Sequence, residues 1–175
     1  DSLRSRGLGD VYKRQARKPP RPTATMTLTR DGPNGPEVLL GLRSETMAAF
    51  PGYWAFTGGG VSRVDAAAVD SFSVLDVEHG KAIACILRET CEELGIAPNG
   101  DHVVVIDETA RFDVIKDKAN WLPHAEDCNI PVNTDNINIL GHRITPPFGP
   151  VQFDNAFIHF CLLYTSPSPR DLKLS

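Results

Sequence analysis

The stretch Arg88-Glu89-Thr90-Cys91-Glu92-Glu93-Leu94-Gly95-Ile96 decides how this chain is read. It sets three carboxylates within five positions. At about 100° per residue, Glu89, Glu92 and Glu93 fall within about a third of a helix circumference. Ile83, Ile86, Leu87, Thr90 and Leu94 form the opposite stripe, which is expected to face a core. Like charges on one helix face repel by a few tenths of a kcal/mol per pair. A divalent cation turns that repulsion into attraction, and hard Mg²⁺ takes carboxylate oxygens. The competing reading is a solvated acidic face that needs no ion. Gly95 stands where a helix C-cap glycine belongs.

Upstream stands Trp54-Ala55-Phe56-Thr57-Gly58-Gly59-Gly60-Val61. A glycine run of this kind lets a loop approach a phosphate or a metal closely. Together the two segments resemble the Nudix hydrolase box, whose pattern is G-x5-E-x7-R-E-U-x-E-E-x-G-U with U apolar. The second half matches at Arg88, Glu89, Glu92, Glu93, Gly95 and Ile96, with Thr90 in the first apolar slot. Counted from Gly59, the first acidic slot falls on Asp65 instead of Glu, and Arg88 comes 15 residues late. The box is therefore interrupted by an insertion of about residues 66–80, expected as a surface excursion. Interrupted boxes resemble the branch that includes the peroxisomal coenzyme A diphosphatases. Arg143-Ile144-Thr145-Pro146-Pro147 followed by Gln152-Phe153-Asp154 is similar to a T-P and R-F-D element of that branch, with Gln152 in place of Arg. Leu39-Leu40-Gly41-Leu42-Arg43-Ser44 with Gly52 and Phe56–Gly59 partly resembles its coenzyme A signature. Gly41, Ala48 and Thr57 depart from it, and Ala48 removes an arginine suited to gripping a phosphate.

The two ends read differently. Ser5–Gln15 and Cys161–Asp171 admit codons that make one string the reverse complement of the other, apart from a terminal base or two. This looks like a sequencing adapter translated in frame at both ends, so 1–15 and 161–175 are expected to be non-native tails. Residues 16–160 then form one domain, truncated at both ends. Without the tails, the 18 Lys and Arg and 22 Asp and Glu of the whole chain fall to 12 and 19. Such an acidic domain is not expected to bind nucleic acid by bulk charge. No apolar run approaches the roughly 20 residues of a membrane span. Cys85, Cys91 and Cys128 lack CxxC spacing and read as free thiols in a reducing compartment, the cytoplasm. Carboxylates beside Cys91 disfavour a thiolate there.

Along the chain, Thr23–Arg30 reads as a strand, 31–36 as a turn and Glu37–Arg43 as the returning strand. Ser44–Tyr53 reads as a loop and Trp54–Phe56 as a short strand. Gly80–Leu94 is the acidic helix. His102–Ile106 is expected as a buried strand, Ile137–His142 and Asn155–Phe160 as later strands, and Thr109–Leu122 has weak helical spacing. This order indicates α/β or α+β layering. The resemblance makes it an α/β/α sandwich around a mixed sheet.

The resemblance also implies a reaction: Mg²⁺- or Mn²⁺-assisted attack of water on a diphosphate within a nucleotide-like small molecule. It implies Glu92 and Glu93 as metal ligands, Glu89 as ligand or base, and Arg88 as the group that orients a neighbouring glutamate. The Gly59 carbonyl is a further ligand candidate. Gly58, Gly60 and Arg43 are candidates for substrate contact, and Asp65, Asp107 and Glu108 for additional acids. Coenzyme A derivatives are the leading substrates by resemblance. A second implied reading is a catalytically silent Nudix-fold domain that binds a nucleotide or a protein, which the interruption favours and the intact acid set opposes.

Overall fold

The computed structural model describes residues 19–47, 50–71, 77–117, 121–130, 132–147 and 151–162. Ala48 and most of the two tails lie outside the described residues. The centre is a five-stranded mixed sheet built on β1 (Arg21–Gly32). Alternation assigns its faces: Ala24, Met26 and Leu28 are buried, while Thr23, Thr25, Thr27 and Thr29 point to the other side. β2 (Gly35–Val38) returns antiparallel along one end of β1, and β5 (Thr57–Gly60) lies antiparallel along the other. β9 (Phe153–Leu162) runs parallel to β1 on its far side and carries β8 (Ile137–Ile144) antiparallel at the edge.

The strand expected over Glu37–Arg43 is broken. β2 ends at Val38, and β3 (Gly41–Leu42) pairs instead with β4 (Trp54–Ala55). The glycine run, expected to follow a short strand as a loop, is itself a strand. Its glycines are not among the residues of positive φ, so at Gly58 and Gly59 it is close packing, not left-handed backbone, that requires glycine. A hairpin of β6 (Ile96–Asn99) and β7 (His102–Val105) turns at Gly100, whose φ is +65°, and β7 is not the buried strand expected, since Val103 is covered while Val105 is exposed. β6 carries no alternation in sequence because Ile96, Ala97 and Pro98 are all buried.

Helix α2 (Val77–Leu94) packs on the Ala24–Leu28 face of the sheet. It is covered nearly all round: Ala82 through Leu87 are each no more than 5% exposed. The box threonine fits this burial, since Thr90 donates its hydroxyl to the Ile86 carbonyl at 2.6 Å. Short helix α1 (Arg63–Ala67) and a 3₁₀ turn (Val69–Ser71) precede α2 and pack against it. The expected surface excursion over residues 66–80 thus begins inside α1, buries Ala68 and Val69, and ends inside α2, with 72–76 outside the described residues. Helices α3 (Glu108–Lys116) and α4 (Trp121–Asp127) resolve the weakly helical stretch. α3 closes on α2, and α4 on α3.

β9 includes Cys161 and Leu162, the first two residues of the expected C-terminal tail, and Leu162 is buried. Ala156, Ile158 and Phe160 precede it on the same buried face. Phe160→Ala is expected to cost about 3–5 kcal/mol, as truncation of a fully buried aromatic does. Urea unfolding measures it.

Candidate active site

Helix α2 presents its acidic face to strand β5, and one buried ion pair joins α2 to α1 beside that strand. Asp65, from α1, is fully buried, and Arg88 is 2% exposed. Arg88 donates through Nε to Asp65 Oδ1 at 2.8 Å and through Nη2 to Oδ2 at 2.9 Å. Asp65 is placed by its own helix start. Ser62 caps α1, and the Asp65 Oδ2 accepts from the Ser62 backbone N–H at 2.7 Å and from its hydroxyl at 2.8 Å. The acid in the first box slot thus meets Arg88 across the whole interruption. A buried charge pair is tolerable only when its remaining hydrogen-bond positions are filled, and here they are.

The rest of the guanidinium faces the acids. Nη1 donates to Glu89 Oε1 at 2.9 Å and to Glu92 Oε1 at 3.2 Å, and Nη2 reaches the Gly60 carbonyl at 3.4 Å. Burial opposes the Arg88 charge, but the bonds and charge of Asp65, with Glu89 behind them, more than offset it and raise its pKa. This face is not a solvated one. Glu92 is buried and Glu89 is 14% exposed, and only Glu93 opens to solvent.

Glu93 accepts a hydrogen bond from the Gly58 backbone N–H. Loss of water around its carboxyl raises its pKa, and the Glu89 charge raises it further; the Gly58 bond and Arg43 act the other way. Burial, then Asp65, pushes the Cys85 thiol far up, and Cys91 rises to about 11 by burial and then Glu92. Both therefore remain thiols. Cys85 donates to the Gly59 carbonyl at 3.7 Å.

The glycines explain how closely helix and strand approach. A Cβ on Gly59 would lie 2.2 Å from Glu89 Oε1, and one on Gly58 would lie 2.4 Å from the Ala24 carbonyl oxygen. Beyond Glu93, a cavity of about 320 Å³ opens between Arg43, Met47, Phe56 and Leu94. Arg43 and Glu93 thus share one cavity wall.

Among the described residues, no three Asp, Glu, His or Cys side chains already converge to hold an ion. Three carboxylates and a carbonyl nonetheless make a donor set suited to a hard divalent cation. The structure brings Asp65, Arg88, Glu89, Glu92, Glu93 and Gly58–Gly60 together. Asp107 instead caps α3, accepting from the Thr109 and Ala110 N–H groups, and Glu108 begins that helix. Arg111 was not singled out from sequence. It donates to the Glu92 carbonyl at 2.9 Å and the Glu93 carbonyl at 3.2 Å, closing the negative end of α2. A basic residue some 17 positions beyond a helix gives no local signal.

No family profile and no curated protein matches this sequence. Solved structures do. A Nudix hydrolase from Alicyclobacillus acidocaldarius aligns with a TM-score of 0.71 at 26% identity, covering 85% of this chain and 72% of that one. The Nudix domain of Shewanella oneidensis NrtR, solved with ADP ribose, aligns at 0.46 and 15% identity, covering 88% and 68%. A MutT/nudix family protein from Enterococcus faecalis aligns at 0.41 and 22%, covering 82% and 38%. The last two overlaps are too loose to carry further argument. The first is close enough to establish that this chain has the Nudix fold, an α/β architecture with a mixed sheet.

Asp65→Ala is expected to cost about 3–5 kcal/mol, because it leaves Arg88 buried without its main partner. Gly58→Ala is expected to cost about 1–3 kcal/mol by overpacking against backbone. Gly59→Ala is expected to cost less, because the Glu89 carboxylate it meets can swing aside. Urea midpoints of the three variants measure this order.

Proposed function

We propose that this chain is a metal-dependent hydrolase of the Nudix type, cleaving a diphosphate linkage in a nucleoside diphosphate derivative. The observation that carries the reading is the Arg88 fork, anchored on Asp65 and spread across Glu89 and Glu92 beside Gly58–Gly60. Glu92 and Glu93, with the Gly59 carbonyl and Glu89, are the residues that would hold Mg²⁺ or Mn²⁺. Such an ion supplies charge neutralisation for the phosphoryl oxygens.

The chain's own residues do the remaining work. Glu89 is the group to accept the proton of the attacking water. Arg88 sets its rotamer through a charge-assisted bond and stays charged throughout. Arg43 lines one cavity with Glu93, which supports its assignment to an anionic part of the substrate. Gly58 and Gly60 are the glycines whose lack of a side chain would let the substrate approach the backbone. Coenzyme A and its acyl derivatives are the members of this substrate class to which the Leu39–Gly59 segment is most similar. The reading includes no nucleic acid or membrane partner and places the protein in the cytoplasm. Among the described residues, no helix is long and apolar enough to cross a membrane.

A silent binding domain is the second reading. It is favoured by the interruption of the box between Asp65 and Arg88 and by Asp65 standing in the first acidic slot in place of Glu.

Mg²⁺ or Mn²⁺ is expected to raise the melting temperature, since an ion bound only by the folded state stabilises it by mass action. Product release from nucleoside diphosphate derivatives and coenzyme A species is expected to need the ion and to vanish in Glu93→Gln. Ion binding without turnover on the whole panel would favour the silent domain. Without metal, Glu93→Gln is expected to be more stable than the parent at pH 7. A carboxyl whose pKa is raised by folding costs stability only once it ionises. The gain should therefore shrink as pH falls through that raised value and disappear below the ordinary carboxylate range of about 4. Denaturation at a series of pH values tests the sign.

A further inference from the structure

The last turn of α2 is held by a residue outside the box. Carbonyls in the final turn of a helix have no N–H to accept from within it. In α2 the Cys91 carbonyl takes the Gly95 N–H at 3.1 Å. The next two carbonyls belong to Glu92 and Glu93, two of the residues proposed to hold metal. One guanidinium serves both. Arg111 donates through Nε to the first at 2.9 Å and through Nη2 to the second at 3.2 Å. These bonds go to the backbone of the two residues, not to their carboxylates.

Arg111 reaches that turn because the chain between the two is closed on itself. Gly95 leaves α2 at a φ of +65°, and the hairpin of β6 and β7 returns to it. The Ile106 N–H then bonds the Gly95 carbonyl at 2.8 Å. Asp107 follows and caps α3, accepting from the Thr109 and Ala110 N–H groups at 2.9 and 3.4 Å. The Arg111 N–H bonds the Asp107 carbonyl at 2.9 Å, so Arg111 sits near the start of a capped helix. Its stem lies along Gly95, where an added Cβ would come 3.3 Å from Arg111 Cδ. These joints set where the fork meets α2. Groups that orient a metal ligand in this way are worth about 10- to 100-fold in metal affinity.

We propose that Arg111 is a positioning residue for the metal site, fixing the backbone of Glu92 and Glu93 so that both carboxylates approach one ion. It touches neither the ion nor the substrate. The proposal rests on the hydrolase reading for the assignment of Glu92 and Glu93 as ligands. It adds that a helix outside the box sets the affinity of the box for metal. The planar fork is what the role requires. Lys supplies the same charge at the helix end, but as one flexible ammonium.

The test measures Mn²⁺ binding by the full chain without substrate, from the electron paramagnetic resonance signal of the free ion. Arg111→Met is expected to weaken binding about tenfold, the scale for loss of an orienting partner. Arg111→Lys is expected to keep the parent's urea midpoint, because the charge at the helix end remains, yet to bind Mn²⁺ as weakly as Arg111→Met. A role limited to helix-end charge would restore stability and affinity together in the Lys variant. Parent-like affinity in Arg111→Met, or full recovery of affinity in Arg111→Lys, would therefore overturn the proposal. Should Arg111→Met fail to fold, the Lys variant decides alone. If the parent itself binds no Mn²⁺, the ligand assignment falls and this proposal with it. If the parent binds and both variants bind equally well, only this proposal falls.

Discussion

The pairing of Asp65 with Arg88 is the constraint on which the rest of the site depends. Two buried charges are costly to remove from water, and their attraction repays this only in a fixed geometry with every lone pair occupied. Asp65 meets that condition because α1 delivers it already bonded to Ser62. Arg88 meets it because the remaining donors of its fork find Glu89, Glu92 and the Gly60 carbonyl. The pair thereby links three elements distant in sequence: the end of β5, the helix α1 and the middle of α2. It also turns repulsion among the glutamates into a bonded array at two of the three. Glu93 is bonded to the Gly58 N–H instead, and burial raises its pKa.

Close approach of α2 to β5 is the second requirement, and it is met by absence of side chains. Gly59 admits the Glu89 carboxylate, and Gly58 admits the neighbouring strand. These two contacts are of different kinds. One presses on the end of a movable side chain, the other on backbone. The same strand separates two unlike environments. On the α2 side lie the carboxylates, with Arg43 at the margin; on the other lie threonines, Asn155 and Phe153 with no charge among them.

The helix that carries the acids is held at its end as well as along its length. Gly95 takes a φ of +65° and returns its N–H to the Cys91 carbonyl, while its own carbonyl accepts from Ile106. Arg111 adds a positive charge at the carbonyls of Glu92 and Glu93. The two metal-ligand candidates therefore sit on backbone whose last turn cannot fray freely, and cationic capping there also works against the negative helix end beside the acids.

Periodicity and residue type alone determined much of this. The alternation in Thr23–Arg30 and Asn155–Phe160 marked the two central strands, and the spacing of Ile83, Ile86, Leu87 and Thr90 marked the buried side of α2. The Arg88–Ile96 segment and the glycine run pointed to one candidate site, because crowded carboxylates suit a hard cation and a glycine loop permits close approach. What the sequence left open depended on contacts between distant residues. Asp65 lay in the right slot, but only the packing of α1 on α2 brings it to Arg88 across 23 positions. β6 was hidden because both its faces are covered, which erases alternation. The split of the 37–43 strand followed from competition between β1 and β4 for its backbone. The role of Arg111, and the uncharged surface behind the glycines, arise only where separate strands and helices meet, since hydrogen bonds over such separations leave no local pattern to read.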